Sequence, residues 1–136
     1  MNYLIKIKYT KQLDNGLLKS VTEPYIITNV DRFTEAESTG FKLIEEYGLK
    51  DADITHIQRI AIDEVFYYDE DECICIATIM NTITKEDGSE QKFKGDWVVS
   101  AADVNDAIKK VNEYFRKDMR DLSLEKIKKT RIVEII

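Results

Sequence analysis

VTEPYIITNVDRFTEAES runs from Val21 to Ser38, and its punctuation sets the order of elements for the whole chain. Tyr25-Ile26-Ile27-Thr28 is an aromatic and β-branched run of the kind that fits a pleated, half-buried surface. Pro24, just before it, cannot donate to a ladder and so belongs at an edge or a bulge. Thr34 to Glu37 spells T-x-x-E, a capping-box pattern. Ala36, Gly40, Leu43, Ile44 and Tyr47 then recur at helical spacing up to Gly48, which predicts a helix of about 13 residues. Strand, loop and helix therefore follow one another here.

Upstream, YLIKIKYT (residues 3 to 10) alternates, with Tyr3, Ile5, Ile7 and Tyr9 on one face and Lys6, Lys8 and Thr10 on the other. Asn15-Gly16, a dipeptide suited to positive φ, joins this strand to VTEPYIIT as a hairpin. Downstream, Ile54 to Tyr68, CICIATIMNTIT and KFKGDWVVS read as a three-strand meander, with turns at the acidic Asp69 to Glu72 and at Asp87-Gly88. Asp103 or Ser100 can cap a second helix with the stripe Val104, Ala107, Ile108, Val111, Tyr114 and Phe115. IKKTRIVEII closes the chain as a last strand.

The order ββαβ thus occurs twice, and the halves superpose in sequence. Gly16 falls on Gly88 and Tyr25-Ile26-Ile27-Thr28 on Trp97-Val98-Val99-Ser100. Ala36 meets Ala107, Ile44 meets Phe115, and Ile57, Ile62, Glu64 and Val65 meet Ile127, Ile132, Glu134 and Ile135. The expected architecture is α+β: a single domain, 1–136, made of tandem ββαβ repeats at 1–68 and 72–136. Its sheet is mainly antiparallel, either six-stranded or two three-stranded ones, with two helices on one face. An uncovered aromatic face would be met by a second subunit or a ligand, so a homodimer is expected.

At 136 residues, 43% hydrophobic and 34% charged, the chain has the composition of one globular domain. No stretch approaches the ~20 apolar residues of a membrane span, and no signal-peptide core opens it. A soluble, cytoplasmic protein with no membrane association is expected. Cys73 and Cys75, two apart on a strand, point to one face and suit neither a relaxed disulfide nor a tetrahedral metal site. They read as buried small hydrophobes.

Val21, Thr22, Glu23, Pro24 and Tyr25 followed by Phe33, Thr34, Glu35, Ala36 and Glu37, with Asn15-Gly16 before them and the strand Ile62 to Phe66 after, carry a resemblance over nearly the whole chain. The sequence resembles the domain-of-unknown-function family forty-four ninety-four, which is found in Bacteroidetes and their phages. The resemblance implies kinship and a phage-encoded origin, and it transfers no catalytic residue.

Catalytic, metal and cofactor patterns are missing from the residues themselves. His56 is the one histidine, and no nucleophile-elbow, H-E-x-x-H, Walker or dinucleotide glycine pattern occurs. Asp69-Glu70-Asp71-Glu72 lacks the alternating ligands and central glycine of a calcium loop and reads as a solvated hairpin turn. The expectation is a non-catalytic accessory protein, without cofactor or metal, that binds a protein partner or a small ligand.

The alternative is single-stranded nucleic-acid binding. Net charge is −6, yet Lys109 to Arg131 holds nine basic residues against four acidic ones. Lys126, Lys128, Lys129 and Arg131, with Tyr25, Trp97, Tyr67 and Tyr68 as stacking candidates, would make a positive groove beside an aromatic platform. The strand order, permuted, is similar to the layout of PUR and Whirly proteins. The competing reading puts Tyr25 and Trp97 in the core and leaves an ordinary lysine-rich face.

Overall fold

Alternation builds the first sheet. In a computed structural model covering residues 1–136, β1 (Asn2–Gln12) buries Tyr3, Ile5 and Ile7 and leaves Lys6 and Lys8 in solvent. It pairs antiparallel with β2 (Leu18–Ile27) and, on its other side, with β3 (Lys50–Ile60). Between β2 and β3, α1 (Phe33–Glu46) lays Ala36, Gly40 and Leu43 on the face that carries Ile5, Ile7, Tyr25 and Ile27. The second sheet repeats the order. β5 (Cys73–Thr84) and β6 (Glu90–Ala101) form a long hairpin, α2 (Val104–Lys117) follows, and β7 (Asp121–Lys129) pairs with β5. Ala107 and Val111 of α2 pack on Cys75, Ala77, Ile79, Trp97 and Val99.

Two short strands complete the sheets from the opposite half of the chain. β4 (Glu64–Phe66), which follows β3, pairs parallel with β6, and β8 (Glu134–Ile135), which follows β7, pairs parallel with β2. The sheet orders are β3-β1-β2-β8 and β7-β5-β6-β4. Residues 1–60 with 132–136 therefore form one compact unit and residues 61–131 the other. The fold is α+β, in two mostly antiparallel sheets of four strands with one helix on each, so neither the six-stranded sheet nor a pair of three-stranded ones is formed.

Several local expectations change with this topology. The run from Ile54 to Tyr68 is broken at Ala61 to Asp63 into β3 and β4, and the three-strand meander does not exist. The closing strand begins earlier, at Asp121, and breaks after Lys129, where the Thr130 N–H and hydroxyl both donate to the Ile74 carbonyl. The acidic Asp69 to Glu72 connects β4 to β5 and turns no hairpin. Pro24 lies not on an edge but in β2, between β1 and β8: its carbonyl accepts from Val133 just before β8, so its missing N–H faces that side and removes no β1–β2 ladder bond.

The T-x-x-E pattern does not cap α1. Arg32 is the N-cap and makes no side-chain cap, while Glu35, at the third helical position, accepts from the Asp31 N–H. At the other end Gly48, at φ +59, closes a Schellman pair, with Leu49 N–H on the Ile44 carbonyl. Asp103 caps α2 by accepting from Asp106.

Both hairpins turn on one glycine each. Within these turns only Gly16 and Gly88 take positive φ, each +83°, in three-residue loops closed by Leu13–Leu17 and Lys85–Ser89 backbone bonds. Asn15 and Asp87 keep negative φ and instead accept from Leu17 and Ser89. A Cβ at Gly88 would meet no atom within 4 Å, so Gly88→Ala should cost only the left-handed conformation, about 1 kcal/mol. Urea unfolding of the variant checks this. An unchanged midpoint would mean the loop relaxes.

Candidate functional site

Tyr25 and Trp97 do not form a surface platform, while Tyr68 is exposed, with the Lys110 ammonium 6.0 Å from its ring centre. Tyr25 is 2% and Trp97 3% exposed, each on the helix-facing side of its sheet. Trp97 packs on Phe66 and Phe115, and Phe66 stacks on Tyr114 at 3.8 Å. This overturns their expected stacking role: the alternation that placed them on one face did not tell which face a helix would cover. Lys126, Lys128, Lys129 and Arg131 are exposed, the lysines along the outer edge strand β7. They lie in the second unit and Tyr25 in the first. His56 is exposed in β3 beside Gln58.

The acidic link holds one residue that is not simply solvated. Asp71 accepts from the Ser100 hydroxyl at 2.7 Å and from Lys110 at 3.2 Å, and Lys110 also donates to the Ser100 carbonyl. Ser100 is 1% exposed and accepts from the Tyr68 N–H. Lys110 faces the serine carbonyl and not its hydroxyl, so the group fastens the link to β6 and α2 and does not form a nucleophile and base. Cys73 and Cys75 lie with sulfurs 4.0 Å apart, both buried. Burial, then the neighbouring Cys73, pushes the Cys75 thiol up to about 12, which keeps it an unreactive thiol.

The first unit carries a more open arrangement. A groove of about 360 Å³ lies between the end of the β1–β2 hairpin and the α1–β3 connection, lined by Tyr9, Gln12, Leu18, Leu49, Lys50 and Asp51 among others. Asp51 holds φ +52°, a strained value for a residue with a Cβ. Tyr9, at the groove wall, donates to Glu23, and Tyr47, the C-cap of α1, donates to Glu134. Between these pairs lies Tyr25, opposite Glu134 in the β2–β8 register. Burial first, then the hydrogen bond to Glu23, pushes the Tyr9 hydroxyl up to about 12. For Tyr47 the Glu134 bond leads, and for Tyr25 burial leads, with Glu23 and Glu134 adding; both also rise to about 12.

Sequence reasoning passed over Glu23, Glu134, Tyr9 and Tyr47. Glu23 and Tyr25 share a strand face and Glu134 matches Glu64 in the two halves, but nothing local brings the end of the chain beside β2.

The family model described as a domain of unknown function, DUF4494, matches residues 1–136. The chain belongs to this family. No curated protein and no solved structure matches it. No helix is long and apolar enough to cross a membrane.

Proposed function

We propose that this DUF4494 chain is a non-catalytic accessory protein that acts by binding, and that its binding site is the groove of the first unit. The observation that carries this reading is the groove itself: about 360 Å³ of open space with an apolar wall at Leu18 and Leu49, a tyrosine, and charged residues at Lys11, Lys50 and Asp51. That mix of apolar lining and few polar groups is the usual form of a small-ligand or side-chain pocket. A cytoplasmic, phage-encoded homodimer is part of the same reading. Its support is the resemblance in sequence and the exposed Leu17 and Leu18 at the first hairpin.

Native mass spectrometry of the protein as purified is expected to retain a bound species that Leu49→Trp, which fills the groove, displaces without unfolding the chain. A bound species unaffected by that substitution would place the site elsewhere, and an empty protein would count against the reading.

Single-stranded nucleic-acid binding stays as a second reading because Lys126, Lys128, Lys129 and Arg131 are all exposed. With Tyr25 and Trp97 buried, it would rest on phosphate contacts, with Tyr68 left as an exposed stacking candidate. Labelled single-stranded DNA should then bind with a steep salt dependence that changing the three lysines to glutamate removes. No binding at low salt ends this reading.

A further inference from the structure

We propose that the first unit binds a guanidinium or primary ammonium group between Glu23, Tyr25 and Glu134, with the chain that bears it lying in the adjoining groove. The inference rests on the groove reading above and names the chemistry of its ligand.

The first support is an incomplete set of partners. Tyr9 donates to one oxygen of Glu23 and Tyr47 to one oxygen of Glu134, which fixes both carboxylates and leaves each with a second oxygen. Tyr25, 2% exposed, sits between them, and its hydroxyl makes no hydrogen bond to the protein. No buried side-chain oxygen is left unpaired, so this hydroxyl opens to solvent. Neither glutamate has a basic partner; the ion pairs of the chain involve Lys110 and Arg120, both in the second unit. The last turn of α1 has no basic residue either, so its negative dipole end adds to the unbalanced charge.

The second support is what the other unit does at the corresponding place. Glu64 stands opposite Trp97 in the parallel β4–β6 register, as Glu134 stands opposite Tyr25. There the glutamate is met by the Arg120 guanidinium at 3.8 Å, which Asp118, the C-cap of α2, holds by two bonds of 2.7 and 3.0 Å. Arg120 lies two residues after its helix cap. Two residues after Tyr47, the cap of α1, stands Leu49. The second unit supplies its own guanidinium, and the first carries the acceptors without one. A planar fork can take the free oxygen of each glutamate while the Tyr25 oxygen accepts a third N–H. Tyr9 lines both the cluster and the groove, so an aliphatic stem leads directly from one to the other.

Isothermal titration with argininamide, spermidine and an acetylated arginine-containing peptide, with citrullinamide as the uncharged control, tests the proposal. The cations should bind and citrullinamide should not. Glu134→Gln, with its fold verified by circular dichroism, should weaken the cations about tenfold or more. Leu49→Arg, which copies the second unit, should abolish binding and raise the melting temperature. Tighter binding of the peptide than of spermidine assigns the source to a basic partner chain, and the reverse order assigns it to a free polyamine. Absent cation binding, or binding that survives both substitutions as diffuse attraction to an acidic protein, overturns the proposal. A species in native spectra that Leu49→Trp displaces would then still uphold the groove, while its absence would remove both readings.

Discussion

Replacing Trp97 by alanine is expected to cost about 3–5 kcal/mol, a large share of the roughly 5–15 kcal/mol that holds a domain folded. Trp97 is 3% exposed and fills the space between β6 and α2, with its ring 5.4 Å from Phe66 and 5.6 Å from Phe115. Phe66 belongs to β4, only three residues long, so the tryptophan also anchors the strand that arrives from the other half of the chain. Its removal takes away two ring contacts and opens a cavity that the sheet cannot close, because Val99 and Ala77 beside it are already fully buried. Trp97→Phe, which keeps an aromatic ring, should cost less than half as much. Urea unfolding followed by far-ultraviolet circular dichroism measures both. A loss under about 1 kcal/mol for the alanine variant would show that this pocket is loosely packed.

Ser100→Ala is expected to cost about 1–3 kcal/mol although it removes a single oxygen. That oxygen accepts from the Tyr68 N–H and donates to Asp71, so its loss leaves two groups short of a partner at once. The same cluster links stability to pH. The Ser100 hydroxyl, and after it Lys110, hold the Asp71 carboxyl below its usual value of 3.8 against the opposing effect of burial. Burial lowers the Lys110 affinity for its proton, but Asp71 and Asp106 outweigh this and raise it. The folded protein therefore binds the Asp71 proton less readily than the unfolded chain does. Its contribution is present above pH about 4 and fades as pH falls through the lowered folded value. Asp71→Asn should be less stable than wild type at neutral pH, and the gap between the two should narrow below pH 4. Asp87 and Asp118 are also lowered, but they are common to both proteins and cancel in the comparison. A gap that stays constant down to acid pH would show that the asparagine variant loses packing and not charge.

Local pattern was legible where a residue's own neighbours decide its conformation. The alternation of Tyr3, Ile5 and Ile7, the turns at Gly16 and Gly88, the stop of α1 at Gly48 and the Asp103 cap all follow from short-range sterics and hydrogen bonding. The start of α1 departs from the T-x-x-E pattern because the Asp31 N–H meets Glu35.

Short-range pattern therefore sets the faces: which side chains share a side of each strand and helix, and where the chain turns back. Which sheet each short strand joins depends on long-range pairing. β4 and β8 pair in parallel with strands far along the chain, and parallel pairing needs no tight turn that would mark it locally. The same distant pairing put Glu134 against Tyr25 and created the acidic cluster beside the groove, while the helices α1 and α2 cover Tyr25 and Trp97. A two-residue period reports that side chains share a face; what covers that face depends on elements the period does not contain.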